Sequence, residues 1–84
     1  MQKLLMIVAT WCEPCQKLKP MVERVCAGNN VPYEIVDIED SADKIDVSRI
    51  KMVPTFILTN DNNITWTHSG LLDEEFLKNK IGAA

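Results

Sequence analysis

An unbroken apolar run, Leu4 to Ala9, is followed one residue later by Trp11-Cys12-Glu13-Pro14-Cys15, and an amphipathic stretch then continues to about Cys26. No other part of the chain restricts the fold so strongly. Apolar residues without alternation mark a strand covered on both faces, at the centre of a sheet. In the amphipathic stretch, Cys15, Leu18, Met21, Val22, Val25 and Cys26 recur at i, i+3, i+4 and i+7, which describes a helix with one buried face. Lys17, Lys19, Glu23 and Arg24 fall mainly on the other side. A strand over about 3–9, a Cys-x-x-Cys turn and a helix over about 12–27 therefore follow one another directly.

That succession favours thiol chemistry. The thiolate is the nucleophile in disulfide exchange, and a free cysteine with a pKa near about 8.5 is mostly protonated at neutral pH. Cys12 is expected at the N-cap or in the first turn. Unpaired backbone N–H groups and the positive end of the helix dipole stabilise a thiolate there. Cys15 lies one turn further on, where the two sulfurs approach bonding distance. The spacing predicts a Cys12 that attacks and a less exposed Cys15 that resolves the resulting bond. Pro14 suits a first turn, because its missing N–H would have no partner there. Trp11, beside Cys12, is expected to form a substrate-facing wall, since such rings are enriched at contact surfaces. The same Cys-x-x-Cys spacing occurs in zinc sites, but a structural zinc site usually takes a second ligand pair. Only Cys26 and His68 remain, and they form no pair. The spacing favours a redox dithiol and leaves a metal-binding or scaffold module as the alternative.

The 84 residues fit one domain, 1–84, near the lower size at which a core suffices without staples. A hydrophobic fraction of 46% is ordinary for a globular protein. A net charge of −3 has the wrong sign for a nucleic-acid binder. Nothing approaches the length of a membrane span. Lys3 and the apolar run after it are too short for a signal peptide, whose cleavage would delete a core strand. Three cysteines, an odd number, argue against a structural disulfide framework. A monomer in a reducing cytoplasm is expected.

Gly28-Asn29-Asn30 should end the first helix. Pro20 is expected to bend that helix without stopping it, because the apolar spacing continues beyond it. Tyr33 to Ile38 reads as a second strand, parallel to the first in a right-handed βαβ unit. The acidic stretch Glu34, Asp37, Glu39, Asp40, Asp43 and Asp46 reads as a solvated face. Within it, Asp40 or Ser41 is placed to N-cap a short second helix over about 42–49. Thr55 to Thr59 reads as a third strand, residues 60–63 as a turn, and Ile64 to Thr67 as a fourth strand, an antiparallel hairpin. A third helix is expected over about 72–81, with Leu72, Phe76, Leu77 and Ile81 as its apolar stripe. Asp73, Glu74 and Glu75 crowd its first turn, where the dipole favours anions. The order β-α-β-α-β-β-α gives an α/β fold, a four-stranded mixed sheet flanked by three helices. Cys26 would lie about 16 Å from Cys15 along the helix and reads as a small core residue. His68 reads as a surface polar residue.

Trp-Cys-x-Pro-Cys after an apolar strand resembles the thioredoxin family. Met52-Val53-Pro54-Thr55, leading into Phe56-Ile57-Leu58, is similar to that family's Ile/Val-Pro-Thr segment. Gly70 before the last helix and Pro20, five residues after Cys15, are weaker matches. Together they span nearly the whole chain, without the family's usual N-terminal strand and helix; in length the chain resembles glutaredoxins and small archaeal-type thioredoxins. The resemblance implies a thioredoxin-like fold and a Cys12–Cys15 redox disulfide. It also implies a cis Val53–Pro54 bond facing the dithiol, with the Val53 backbone open to an extended substrate strand. Trp11, Glu13, Pro14, Val53, Pro54 and Gly70 would surround a bound partner. The implied activity is reduction of protein disulfides through a mixed disulfide. The dithiol is itself the redox centre, so no cofactor or metal is expected. The electron source would be a thioredoxin reductase-type flavoenzyme, or glutathione in a glutaredoxin-like alternative. The basic residues and paired glycines that bind glutathione are not evident, which favours the flavoenzyme. Three positions depart from the family. Met6 stands where a buried aspartate is usual, Ile35 where a lysine often accompanies it, and Glu13 where glycine separates the cysteines.

Overall fold

The apolar run forms β1 (Gln2–Val8), the strand on which the sheet is built. β2 (Tyr33–Asp37) pairs with it in parallel, Leu4 opposite Tyr33 and Val8 opposite Asp37. On the other side β3 (Thr55–Asn60) pairs antiparallel, Met6 opposite Phe56. β4 (Asn63–Ser69) extends the sheet beyond β3, giving the order β2-β1-β3-β4. The helices are α1 (Glu13–Gly28) and α2 (Glu74–Ile81). These elements come from a computed structural model that describes residues 1–39 and 50–82. The second helix expected over about 42–49, with its caps Asp40 or Ser41 and the acids Asp43 and Asp46, lies outside the described residues. The four-stranded mixed sheet and the α/β class are those expected from the sequence.

Alternation along the strands decides which side chains meet the helices. Leu4, Met6 and Val8 of β1 join Phe56 and Leu58 of β3 in one buried cluster with Val22, Val25 and Cys26 of α1 and Leu77 and Ile81 of α2. Burying a side chain the size of Leu4, Phe56 or Leu77 contributes about 1.5–3 kcal/mol. Ile7, which points to the other face of β1, is fully buried as well. A strand buried on both faces needs apolar residues at every position, and this is why β1 does not alternate.

α1 continues through Pro20, which is exposed. Its C-terminus is satisfied locally: the Asn29 side chain donates to the Val25 carbonyl at 2.9 Å, and Asn30 takes a positive φ of 56°. Asparagine is among the few residues that adopt this conformation routinely. Asp61 and Asn62 turn the β3–β4 hairpin with φ of 53° and 71°, the two positive values that a type I′ turn requires. β4 is longer than the Ile64 to Thr67 segment expected, because its pairing continues to His68 opposite Phe56 and Ser69 opposite Thr55. An irregularity at Leu58/Thr59 shifts the register, and the Thr65 hydroxyl donates to the Leu58 carbonyl at 3.2 Å.

The last helix begins later than its apolar spacing suggests. Asp73 is the N-cap, and its carboxylate accepts the Phe76 N–H at 2.8 Å. Leu72 is buried from the preceding loop. Phe76, expected in the stripe, sits at the rim beside Trp66 and His68. Outside the core, Arg24 of α1 and Lys78 of α2 both pair with Glu74. The hydrogen bond from Arg24, then that from Lys78, holds the Glu74 carboxyl below its ordinary pKa.

Candidate active site

The two cysteines of the turn stand where β1 hands over to α1. The Ala9 carbonyl fixes the turn by accepting the Cys12 N–H at 3.1 Å and the Gln16 side-chain amide at 3.2 Å. Cys12 is the N-cap of α1, with extended backbone (φ −90°, ψ 99°), and its sulfur accepts the Cys15 N–H at 3.2 Å. A sulfur is rarely the cap, but the role is the usual one: an acceptor for an N–H that has no helical partner. Pro14 occupies the first turn. Cys12 and Cys15 are joined in a disulfide, their Cα atoms 5.3 Å apart. Cys12 keeps 6% of its surface exposed, whereas Cys15 is fully buried beneath it.

The second part of the site comes from the segment that leads into β3, the antiparallel neighbour of β1. The Val53–Pro54 peptide bond is cis, Pro54 is buried, and the Val53 carbonyl oxygen lies 4.0 Å from the Cys12 sulfur. The Thr55 hydroxyl donates to the Met52 carbonyl and lies 3.5 Å from the Ser69 hydroxyl. Gly70 donates its N–H to the Pro54 carbonyl at 2.8 Å with a φ of 95°, a conformation that favours glycine. A Cβ at this position would also meet the Met52 sulfur at 3.4 Å. Cys12, Cys15, Val53, Pro54 and Gly70, from distant parts of the sequence, are thus linked in one corner. Trp11 is 71% exposed beside Cys12. Glu13 points into water and pairs with Lys17 at 3.5 Å, one turn along α1.

Two apolar residues without an assigned role in the sequence also stand at this corner. Met52 is 54% and Leu71 63% exposed. Leu71 lines a shallow depression with Glu13, Pro14, Lys17 and Leu18. Both directly flank residues of the motifs, Val53 and Gly70, and that adjacency is the signal the sequence offers. Met6, at the position of the family's aspartate, is buried in the same cluster as Cys15 and pairs in register with Ile35. Those two positions thus add apolar side chains to the cluster that holds Cys15, Met6 within it and Ile35 packed against it. Cys26 is fully buried and its thiol is pushed up to about 11 by that burial, as befits a core residue. Among the described residues, no group of three or more His, Cys, Asp or Glu side chains gathers to hold a metal ion. No helix there is long and apolar enough to cross a membrane.

The sequence profile of the thioredoxin family matches residues 2–83. A thioredoxin from Chlamydia pneumoniae is 34% identical over 74 residues, covering 87% of this chain and 72% of that protein. A thioredoxin from Ictalurus punctatus is 38% identical over 76 residues, covering 87% and 70%. The solved structure of a thioredoxin variant from Halobacterium salinarum superposes with a TM-score of 0.89 at 29% identity, over 98% of this chain and 73% of that one. Profile, relatives and superposition agree with the cysteine pair at the head of α1: the chain belongs to the thioredoxin family and is a thiol–disulfide oxidoreductase.

Proposed function

We propose that the protein reduces disulfides in partner proteins by a mixed-disulfide route, with Cys12 as attacker and Cys15 as resolver. The observation that carries this is the unequal burial of the pair: the Cys12 sulfur accepts an N–H and its residue keeps a small exposed area, 6%, whereas Cys15 has none. In the reduced protein the Cys12 thiolate attacks one sulfur of the partner disulfide, and the other partner sulfur leaves as a thiolate and takes up a proton. Cys15 then loses its proton and attacks the Cys12 sulfur. The second partner thiol is released, and two electrons have passed to the partner. The protein is left with its Cys12–Cys15 disulfide.

The Val53 backbone lies where an extended partner segment would pair with it, and Trp11, Glu13, Pro14, Pro54 and Gly70 frame that segment. Met6 and Ile35 leave proton transfer at Cys15 to water or to a group on the partner. A thioredoxin reductase-type flavoenzyme would return the electrons to a monomeric, single-domain protein in a reducing cytoplasm. Insulin reduction, run once with such a reductase and once with glutathione as donor, tests the proposal. Turnover is expected with the reductase, none with Cys12→Ser, and trapped partner–protein mixed disulfides with Cys15→Ser. Turnover with glutathione alone would place the protein with glutaredoxin-like enzymes. Faster alkylation of Cys15 than Cys12 would reverse the two roles.

A further inference from the structure

His68 reads as a surface polar residue, and the structure leaves it half-buried against other rings. It sits on the helix-facing side of β4, opposite Phe56. Its ring stacks on Trp66 at 5.9 Å and 15°, meets the Phe76 ring edge-on at 5.4 Å and 88°, and lies 6.3 Å from Phe56. Three aromatic neighbours on two strands and a helix fix the plane of the imidazole. An apolar ring would fill that space equally well. What histidine adds is a polar edge, and its Nε2 lies 3.1 Å from the Leu71 carbonyl oxygen. A carbonyl only accepts, so Nε2 carries the proton and donates.

We propose that His68 is a positioning residue for partner docking: it holds the segment Gly70–Asp73 so that Leu71 stands beside the first turn of α1. This rests on the disulfide-reductase function proposed above. The segment is anchored at its start by the Gly70 N–H on the Pro54 carbonyl and at its end by the Asp73 cap. Between these anchors Leu72 turns inward and Leu71 outward, 63% exposed, against the depression it shares with Pro14 and Leu18. The His68 bond is made at the residue that changes direction. A mainly exposed leucine gains little from its own packing, so its place is set through its backbone. His68 therefore acts on the side of the site that a partner's flanking residues meet, without touching either sulfur.

His68→Phe keeps the ring and removes the donor; His68→Gln puts an amide N–H near the place of Nε2. For insulin, His68→Phe is expected to raise KM about 3- to 10-fold with kcat unchanged, the range of one net hydrogen bond at about 1.4 kcal/mol per tenfold. Its rate with a small aromatic disulfide, which makes no contact beyond the sulfurs, should equal that of the parent. His68→Gln should restore the insulin KM to within about twofold of the parent. Amide exchange of Leu71 and Leu72, read without any substrate, should quicken in His68→Phe and not in His68→Gln. Equal losses on insulin and the small disulfide, or unchanged exchange in His68→Phe, would overturn the positioning role. If the parent reduced neither substrate, the proposed function would fail, and the exchange comparison would still decide whether His68 holds this segment.

Discussion

Glu13 is the residue that most distinguishes this active-site turn, and its position limits what it does. A carboxylate next to Cys12 should oppose its thiolate. It is 79% exposed, however, and paired with Lys17 at 3.5 Å. In water two charges about 4 Å apart interact by about 1 kcal/mol, and the lysine offsets part of that. Glu13→Gly is therefore expected to speed alkylation of Cys12 in the reduced protein at pH 7 by less than about fivefold. Lys17→Met should slow it. Stopped-flow alkylation across pH measures both, and a faster reaction in Lys17→Met would show that the pair does not govern the sulfur. Cys26 gives a second test. Its thiol has a pKa near 11 in the folded protein against an ordinary 9.0. Between those values the folded chain keeps a proton that the unfolded chain has lost. Stability is thus unaffected by this thiol below about pH 9 and falls as pH rises from there to about 11, by roughly 3 kcal/mol at most. Urea unfolding of the oxidised protein at pH 8, 9.5 and 10.5 should show a shallower fall in Cys26→Ala than in the parent. A parallel fall in the two would assign the loss to other groups.

Among the elements, the β3–β4 hairpin and α2 depend on single residues at their ends. Asn62 holds a φ of 71° in a two-residue turn. Asn62→Val places a β-branched side chain there and should cost about 1–2 kcal/mol, while Asn62→Gly should be neutral or stabilising. Thermal unfolding of the two variants separates them; equal melting temperatures would mean that the turn is not limiting. Asp73→Ala removes the acceptor for the Phe76 N–H and should cost about 1 kcal/mol in urea unfolding. A loss no larger than experimental error would mean that water replaces the cap. Both ends also lie beside the candidate site. The hairpin brings Ser69 and Gly70 back to the Pro54 turn, and the Asp73 cap fixes where the Leu71 segment stops.

For the whole molecule, the helices that hold the site share a single buried cluster with the sheet. Leu77 of α2 is fully buried in the cluster that includes Cys15 of α1. Leu77→Ala should cost about 2–5 kcal/mol, from lost transfer energy and the cavity left behind. Small domains hold only about 5–15 kcal/mol in total, so this one change should noticeably populate the unfolded state at 37 °C. The urea midpoint should drop with little change in slope. A loss below about 1 kcal/mol would mean that α2 repacks over the sheet and that the cluster is not a single unit.

Local pattern alone determined β1, α1, the cysteine turn and the existence of the hairpin, because each is written in neighbouring residues. Unbroken apolar residues have no stable place but a central strand. A sulfur one turn before another, at a helix start, can hardly avoid its partner. The N-cap role of Cys12 and the burial of Cys15 follow from the same period. The last helix starts after its apolar spacing does for an equally local reason: Leu72 fits that spacing, yet it is buried from a loop, and Asp73 competes for the backbone donors. Only the tertiary structure decided which side chains of separate elements meet. The Pro54 carbonyl accepts from Gly70, and the His68 ring meets Trp66, Phe76 and Phe56. These partners come from separate elements, and no periodicity along the chain encodes the distance between them. The physical reason is that strand register and helix placement minimise the exposed area of the whole cluster at once. A histidine that looks like surface in its own stretch is thereby half-buried among aromatic rings, with its Nε2 turned to the loop beside the dithiol.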